Sequence, residues 1–110
     1  MQAFEIGALL AAQAAAGQRW NEFLRIPALS LGLYRLPAGG TDPQQPHTED
    51  EVYYVVEGRA QIQVAGEDHP VQPGSVVLVE ANIPHHFHSI TEDLAVLVFF
   101  APAEYSLKQV

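Results

Sequence analysis

The chain changes its hydrophobic period once. From Ala3 to Gln18, "AFEIGALLAAQAAAGQ", apolar residues recur at helical spacing, and Ile6, Leu9, Leu10 and Ala14 share one face. Alanine favours helix, and Gly17 stands where a left-handed terminator belongs, so a short helix is expected within an N-terminal segment 1–18. From Arg19 onward apolar positions alternate with a period of two. "RWNEFLRI", "ALSLGLYRL", "DEVYYVVE", "AQIQVA", "SVVLVE", "HHFHSI" and "LAVLVFFA" each read as a short strand. Pro27, "PAGG", Gly58, "GED", "QPG", "NIP" and "TED" punctuate these runs. Short strands with turn signals every eight to twelve residues or so describe an all-β sandwich or barrel over 19–110.

Composition adds limits to this picture. A chain of 110 residues holds one core, yet 48% of it is apolar and only 16% is charged, which is more apolar residue than a monomer of this size needs. "LAVLVFF" carries apolar residues on both faces, as suits a strand covered by the core on one side and by the helix or a second subunit on the other. A homodimer is expected, with Phe23 and one of Phe99 or Phe100 near its two-fold interface. The net charge of -8 repels phosphate backbones and anionic lipid surfaces, which argues against nucleic-acid and membrane partners. There is no cysteine, so neither a disulfide nor a thiol nucleophile is available. The N-terminal stretch has no basic residue before Arg19 and carries Glu5 and Gln13. It reads as a helix rather than a secretory leader, and no stretch approaches a membrane span, so a cytoplasmic protein is expected.

The candidate chemistry lies in "DPQQPHTEDEVYYVVEG", Asp42 to Gly58. Gln45, His47, Glu49 and Glu51 share parity, so in an extended segment their side chains point to one side at Cα spacings of roughly 6–7 Å, within reach of one metal ion. A second set, "PHHFHS", opens a later strand, where His85 shares a face with Phe87 while His86 and His88 point the opposite way. Strand ends distant in sequence converge at the mouth of a small barrel. His47, Glu51 and one of the later histidines would then form a two-histidine, one-carboxylate set with coordination positions left for substrate or dioxygen. Each residue also has a plainer reading, as a solvated strand-end side chain or a satisfied mouth histidine.

These residues resemble the cupin family. Its first motif reads glycine, five residues, His-x-His, three or four residues, glutamate, six residues, glycine; Gly39, Gln45, His47, Glu51 and Gly58 match that spacing, with Gln45 in place of the first histidine. Its second motif, a "PG" turn followed by an apolar strand and a histidine, is matched by "PGSVVLVEANIPHHFHS" from Pro73 to His85, with Ser89 where asparagine is frequent. The resemblance implies a jelly-roll barrel, the double-stranded β-helix, behind a short N-terminal helix. It implies a divalent transition metal (iron, manganese, nickel or zinc) on His47, Glu51 and His85, with Gln45 as a fourth ligand or a supporting group. Glu49 and Tyr53 are the candidate catalytic groups, Glu49 as a base or alternative ligand and Tyr53 on the pocket wall. Two function classes follow. One is a metal-dependent enzyme on a small organic molecule, of dioxygenase or related oxidoreductase type, or else an isomerase or lyase. The other is a non-catalytic cup that binds or senses a small molecule.

Overall fold

The structure, a computed structural model, describes residues 1–108. The last two positions of the expected barrel segment, 109 and 110, lie outside them. One helix, α1 (Ile6–Ala16), precedes six strands: β1 (Trp20–Ile26), β2 (Leu29–Leu36), β3 (Asp50–Val64), β4 (Glu67–Val71), β5 (Val76–Val79) and β6 (His85–Ala101). All pairings are antiparallel, in the order β1-β2-β6-β3-β4 with β5 beside the first half of β3.

The expected all-β barrel is present, but two expected breaks are absent. "DEVYYVVE" and "AQIQVA" are one strand, β3, and "HHFHSI" and "LAVLVFFA" are one strand, β6. The two long strands pair along their whole lengths, from Asp50↔Ala101 to Val64↔His85, with register shifts between Val55 and Gln61. Gly58, read as a turn, sits at this bend with φ 92°; a Cβ there would stand 2.3 Å from the Asp93 carbonyl oxygen and 2.7 Å from the Leu94 Cα. Only glycine permits so close a crossing at that backbone angle. The bends let each strand serve both layers, and Ile62 and Val55, each fully buried, lie on opposite sides of the bend in one core with Phe87, Val96 and Leu36. β4, expected only as a turn at "GED", is an exposed edge strand. Its Pro70 pairs with Gln61 where one neighbour, not two, must be satisfied.

The N-terminal segment forms its helix and ends as expected, with Gly17 at φ 65° and its N–H bonded to the Ala14 carbonyl. The anchoring differs from the expected apolar face. Ala14 is exposed and Leu9 and Leu10 are half-buried, whereas Gln13 is buried and its amide nitrogen donates to the carbonyls of Leu33 (2.9 Å) and Arg19 (3.2 Å). Among the described residues no helix is long and apolar enough to cross a membrane.

The outward side of the sheet is apolar in two cross-strand rows. Leu78, Val52, Phe99, Leu31 and Leu24 stand opposite one another in one, and Val76, Tyr54, Leu97 and Leu33 in the other. Val76, Leu78 and Tyr54 are exposed. Phe99 belongs to the first row, whereas Phe100 is buried in the interior. Phe23 is half-buried and packs edge-on against Phe4 of its own chain, ring centroids 5.1 Å apart.

Candidate metal centre

The barrel interior opens into a cavity of about 180 Å³, walled by Trp20 of β1, Tyr34 of β2, Glu51 and Tyr53 of β3, Val98 and Phe100 of β6, Gln44 and His47 of the loop before β3, and Glu104 and Tyr105 beyond β6. Alternation along β3 and β6 directs these side chains inward: Glu51, Tyr53 and Val55 are buried on one strand, His85 and Phe87 on the other. His85 therefore faces inward with Phe87, as its parity indicates. His86 and His88 face away, with His88 paired to Asp68 at 2.8 Å on the exposed side.

His47, Glu51 and His85 come together. All three are buried, and one donor atom from each lies within 4.8 Å of the others. His85 Nε2 stands 2.7 Å from Glu51 Oε1, and His47 Nδ1 stands 3.6 Å from the same oxygen. These are ion-pair approaches, and among the described residues His47 Nδ1, His85 Nε2 and both Glu51 oxygens are buried with no hydrogen bond. Four buried donor atoms with only ion-pair contacts among themselves leave lone pairs that a bound cation would satisfy. Two imidazoles and a carboxylate are a fitting donor set for a divalent transition metal. The group can hold one.

The same contacts dominate the electrostatics of the protein's own groups at the site. Burial favours neutral imidazole at His47, but the carboxylates of Glu104 and Glu51 overcome it and push the pKa up to about 9. At His85 burial is likewise overcome, by Glu51 and the Ile83 carbonyl, and the value is raised. Burial raises the Glu51 carboxyl, yet the two imidazoles bring it below its ordinary value. Burial first, then the Glu51 charge, hold the Tyr53 phenol well above its usual range, so it stays protonated. Tyr53 is on the wall as its parity suggests, and its hydroxyl donates to Gln44 Oε1 at 3.1 Å. Gln44 in turn donates to Asp42 Oδ2 at 2.6 Å, and Asp42 also accepts from the Tyr34 hydroxyl (2.5 Å) and the Phe87 N–H (2.9 Å).

Two of the sequence-derived residues are placed elsewhere. Gln45 is exposed and does not line the cavity; its neighbour Gln44 does. Regular strand begins only at Asp50, and the period-two argument has no force across the irregular segment from Gly40 to Thr48 that contains Pro43 and Pro46. Glu49 is buried, not an exposed acid, but is not on the cavity wall. Its carboxylate accepts the backbone N–H groups of Tyr105 (2.6 Å) and Leu107 (3.1 Å) and the Thr48 hydroxyl. Sequence reasoning missed Gln44, Glu104, Tyr105, and the roles of Trp20 and Tyr34. The C-terminal "PAEYS" carried a signal, an acid and an aromatic residue directly after the last strand, but nothing in its spacing aimed it at His47.

A bent, antiparallel barrel that gathers two histidines and a glutamate inside its mouth defines the class: a small cupin-type barrel with a donor set that could hold a metal. The chain belongs to that family, since the family model described as "Cupin domain" matches residues 32–101. An uncharacterized protein of Streptomyces coelicolor is 52% identical over 104 residues, which is 94% of this chain and 99% of that one. Among solved structures, TT1209 from Thermus thermophilus is similar with a TM-score of 0.73 and 23% identity, covering 94% of this chain and 99% of that one. The DMSP lyase DddQ from Ruegeria pomeroyi is similar with a TM-score of 0.70 and 20% identity, over 88% of this chain and 52% of the lyase. At these identities the two structures share the fold.

Proposed function

We propose that this chain is a metal-dependent enzyme acting on a small organic molecule, with dioxygenase-type oxidoreductase chemistry as the leading form. The observation that carries the reading is the set of buried, unpartnered donor atoms on His47, Glu51 and His85 beside a cavity. Iron, manganese, nickel and zinc all accept such a set, and a three-ligand site leaves positions for substrate. A metal held there would supply Lewis acidity or, as iron, dioxygen activation.

The protein's own groups shape what can bind. Five aromatic rings, from Trp20, Tyr34, Tyr53, Phe100 and Tyr105, line the cavity together with Glu51 and Glu104, and among the described residues no lysine or arginine does. Away from the metal donors, that wall favours neutral or cationic parts of a substrate, because a ring face attracts positive charge and Glu104 repels anions, whereas a metal on the three donors would take an oxygen of the substrate. Tyr53 and Gln44 offer a fixed donor–acceptor pair that orients a substrate oxygen or nitrogen, held in place by Asp42. Metal-dependent lyase or isomerase chemistry is the second reading, favoured by the Tyr53 hydroxyl and Gln44 that would hold a substrate oxygen beside a Lewis-acid metal, an arrangement that needs no redox partner.

Elemental analysis of protein purified without a metal-affinity tag tests the reading. We expect stoichiometric divalent metal in the native protein and its loss in His47→Ala and His85→Ala, with the barrel intact by circular dichroism. Iron would support the oxidoreductase form, and zinc the lyase or isomerase form. Native protein without metal would leave a metal-free ligand cup, and variants that retain metal would overturn the assignment of His47 and His85 as its ligands.

A further inference from the structure

We infer that Glu104 is the positioning residue of His47, carried into the cavity by a C-terminal strap that the buried Glu49 latches, so that a metal is met by Nδ1 of His47 and by Nε2 of His85. The inference rests on the metal reading above and adds a residue outside the three donors.

The strap is the segment 102–107. Its backbone is fixed at several points: Glu104 N–H donates to Ser30 Oγ (2.9 Å), the Glu104 carbonyl accepts from Arg25 (2.8 Å), and the N–H groups of Tyr105 and Leu107 both donate to Glu49. Glu49 thus commits its carboxylate to a structure that follows it by more than fifty residues, which accounts for a buried acid off the cavity wall. Held this way, the strap lays the Tyr105 ring on the His47 ring (centroids 5.6 Å apart, planes 29° apart) and brings Glu104 Oε2 to 2.9 Å from His47 Nε2.

A neutral imidazole carries one N–H and one lone pair. A carboxylate at Nε2 favours the tautomer with its hydrogen there, which leaves the lone pair on Nδ1. Nδ1 is the His47 nitrogen that is buried, unpartnered and turned toward Glu51. His85 is oriented the opposite way: its Nδ1 is 2.8 Å from the Ile83 carbonyl, and its unpartnered nitrogen is Nε2. Each ring has an acceptor on its outer nitrogen and an orphan on its inner one. For His85 the acceptor is backbone and cannot be removed; for His47 it is a side chain on the strap, so the geometry of one ligand depends on the contacts that hold the strap.

The test uses the full-length protein and zinc as probe. Zinc affinity is measured by competition with a chromophoric chelator, and the ring nitrogens of zinc-loaded protein are assigned by long-range ¹H–¹⁵N correlation. The native protein should show His47 with hydrogen on Nε2 and metal on Nδ1, and His85 the reverse. Glu104→Ala should weaken zinc by about 10–100-fold and remove the fixed His47 tautomer, with a smaller loss in Glu104→Gln, which keeps an acceptor oxygen. Glu49→Gln, which changes no cavity group, should disturb the His47 pattern while leaving that of His85; if Glu104→Ala fails to fold, Glu104→Gln and Glu49→Gln carry the test. Metal on Nε2 of His47, a Glu104 oxygen bound to the metal, or unchanged zinc affinity and His47 spectra in the variants would overturn the inference. A native protein that takes no zinc or other divalent metal would overturn the metal reading itself, a separate and recognisable result.

Discussion

The metal-free protein should lose stability as pH rises from neutrality, the reverse of what a metal does. His47 is the source. Burial opposes its charge, but Glu104 at 2.9 Å and Glu51 outweigh burial and hold its pKa at about 9 against an ordinary 6.5. Below about 6.5 the native and unfolded chains both carry the proton, and the ion pairs contribute in full. Between 6.5 and about 9 the native state keeps a proton that the unfolded state has released, so the free energy of unfolding falls with pH. Above about 9 the contribution is gone. A difference of about 2.5 pH units at about 1.4 kcal/mol each corresponds to about 3 kcal/mol. His85, also raised, acts in the same direction. Glu51, lowered, contributes above its ordinary 4.5 and loses that as pH falls; because it is the opposite partner of the same pairs, its share is not added. Urea denaturation of chelator-treated protein across pH 6–9.5 measures the slope. Saturating zinc should reverse it, since ligating imidazoles must be unprotonated and the metal binds more tightly as pH rises. Metal-free stability that stays flat or climbs between pH 6.5 and 9 would refute the charged His47 pair.

Three further outcomes are expected. Gly58→Ala should cost about 2–5 kcal/mol, summing a left-handed backbone penalty and overpacking against Asp93 and Leu94; near-native stability in urea would contradict the tight crossing of β3 and β6. Gln45→Ala and Gln45→His should leave zinc affinity within about twofold, because Gln45 is exposed, whereas Gln44→Ala should weaken binding of any cavity ligand by removing the partner of Tyr53; a metal affinity that tracks Gln45 would place it in the site after all. The protein should be a dimer that covers the exposed and half-buried members of the two apolar rows on its outer sheet face, so light scattering at micromolar concentration should give twice 12.0 kDa and Phe99→Glu should give the monomer mass; a native monomer would sink this expectation.

What the sequence made legible follows from which physical signals are local. Alternation is local, so the inward set on β3 and β6 (Glu51, Tyr53, His85, Phe87) could be read from parity, and so could the outward turn of His86 and His88. Motif spacing brought His47, Glu51 and His85 to one place because a barrel mouth is built from fixed strand offsets. Parity failed where regular strand stops: extended to Gln45 through a loop with two prolines, it chose the exposed glutamine over the adjacent one that faces the cavity. It failed also for Glu49, which is buried off the cavity wall because its partners, the Tyr105 and Leu107 amides, lie more than fifty residues further on. Local punctuation misled at Gly58. A glycine that ends a strand and a glycine that lets two long strands cross look alike in sequence, because the reason for the second is the backbone of Asp93 and Leu94. The strap shows the same limit most plainly. "PAEYS" holds no periodicity and makes no motif, yet Glu104 and Tyr105 reach His47 because Ser30, Arg25 and Glu49, none adjacent in sequence, fix the backbone that carries them. Two of the three donors, Glu51 and His85, are therefore written in the strands, and the third, His47, in the spacing of the loop before β3, while the orientation of that third donor is written in a long-range contact between a buried acid and the segment after β6.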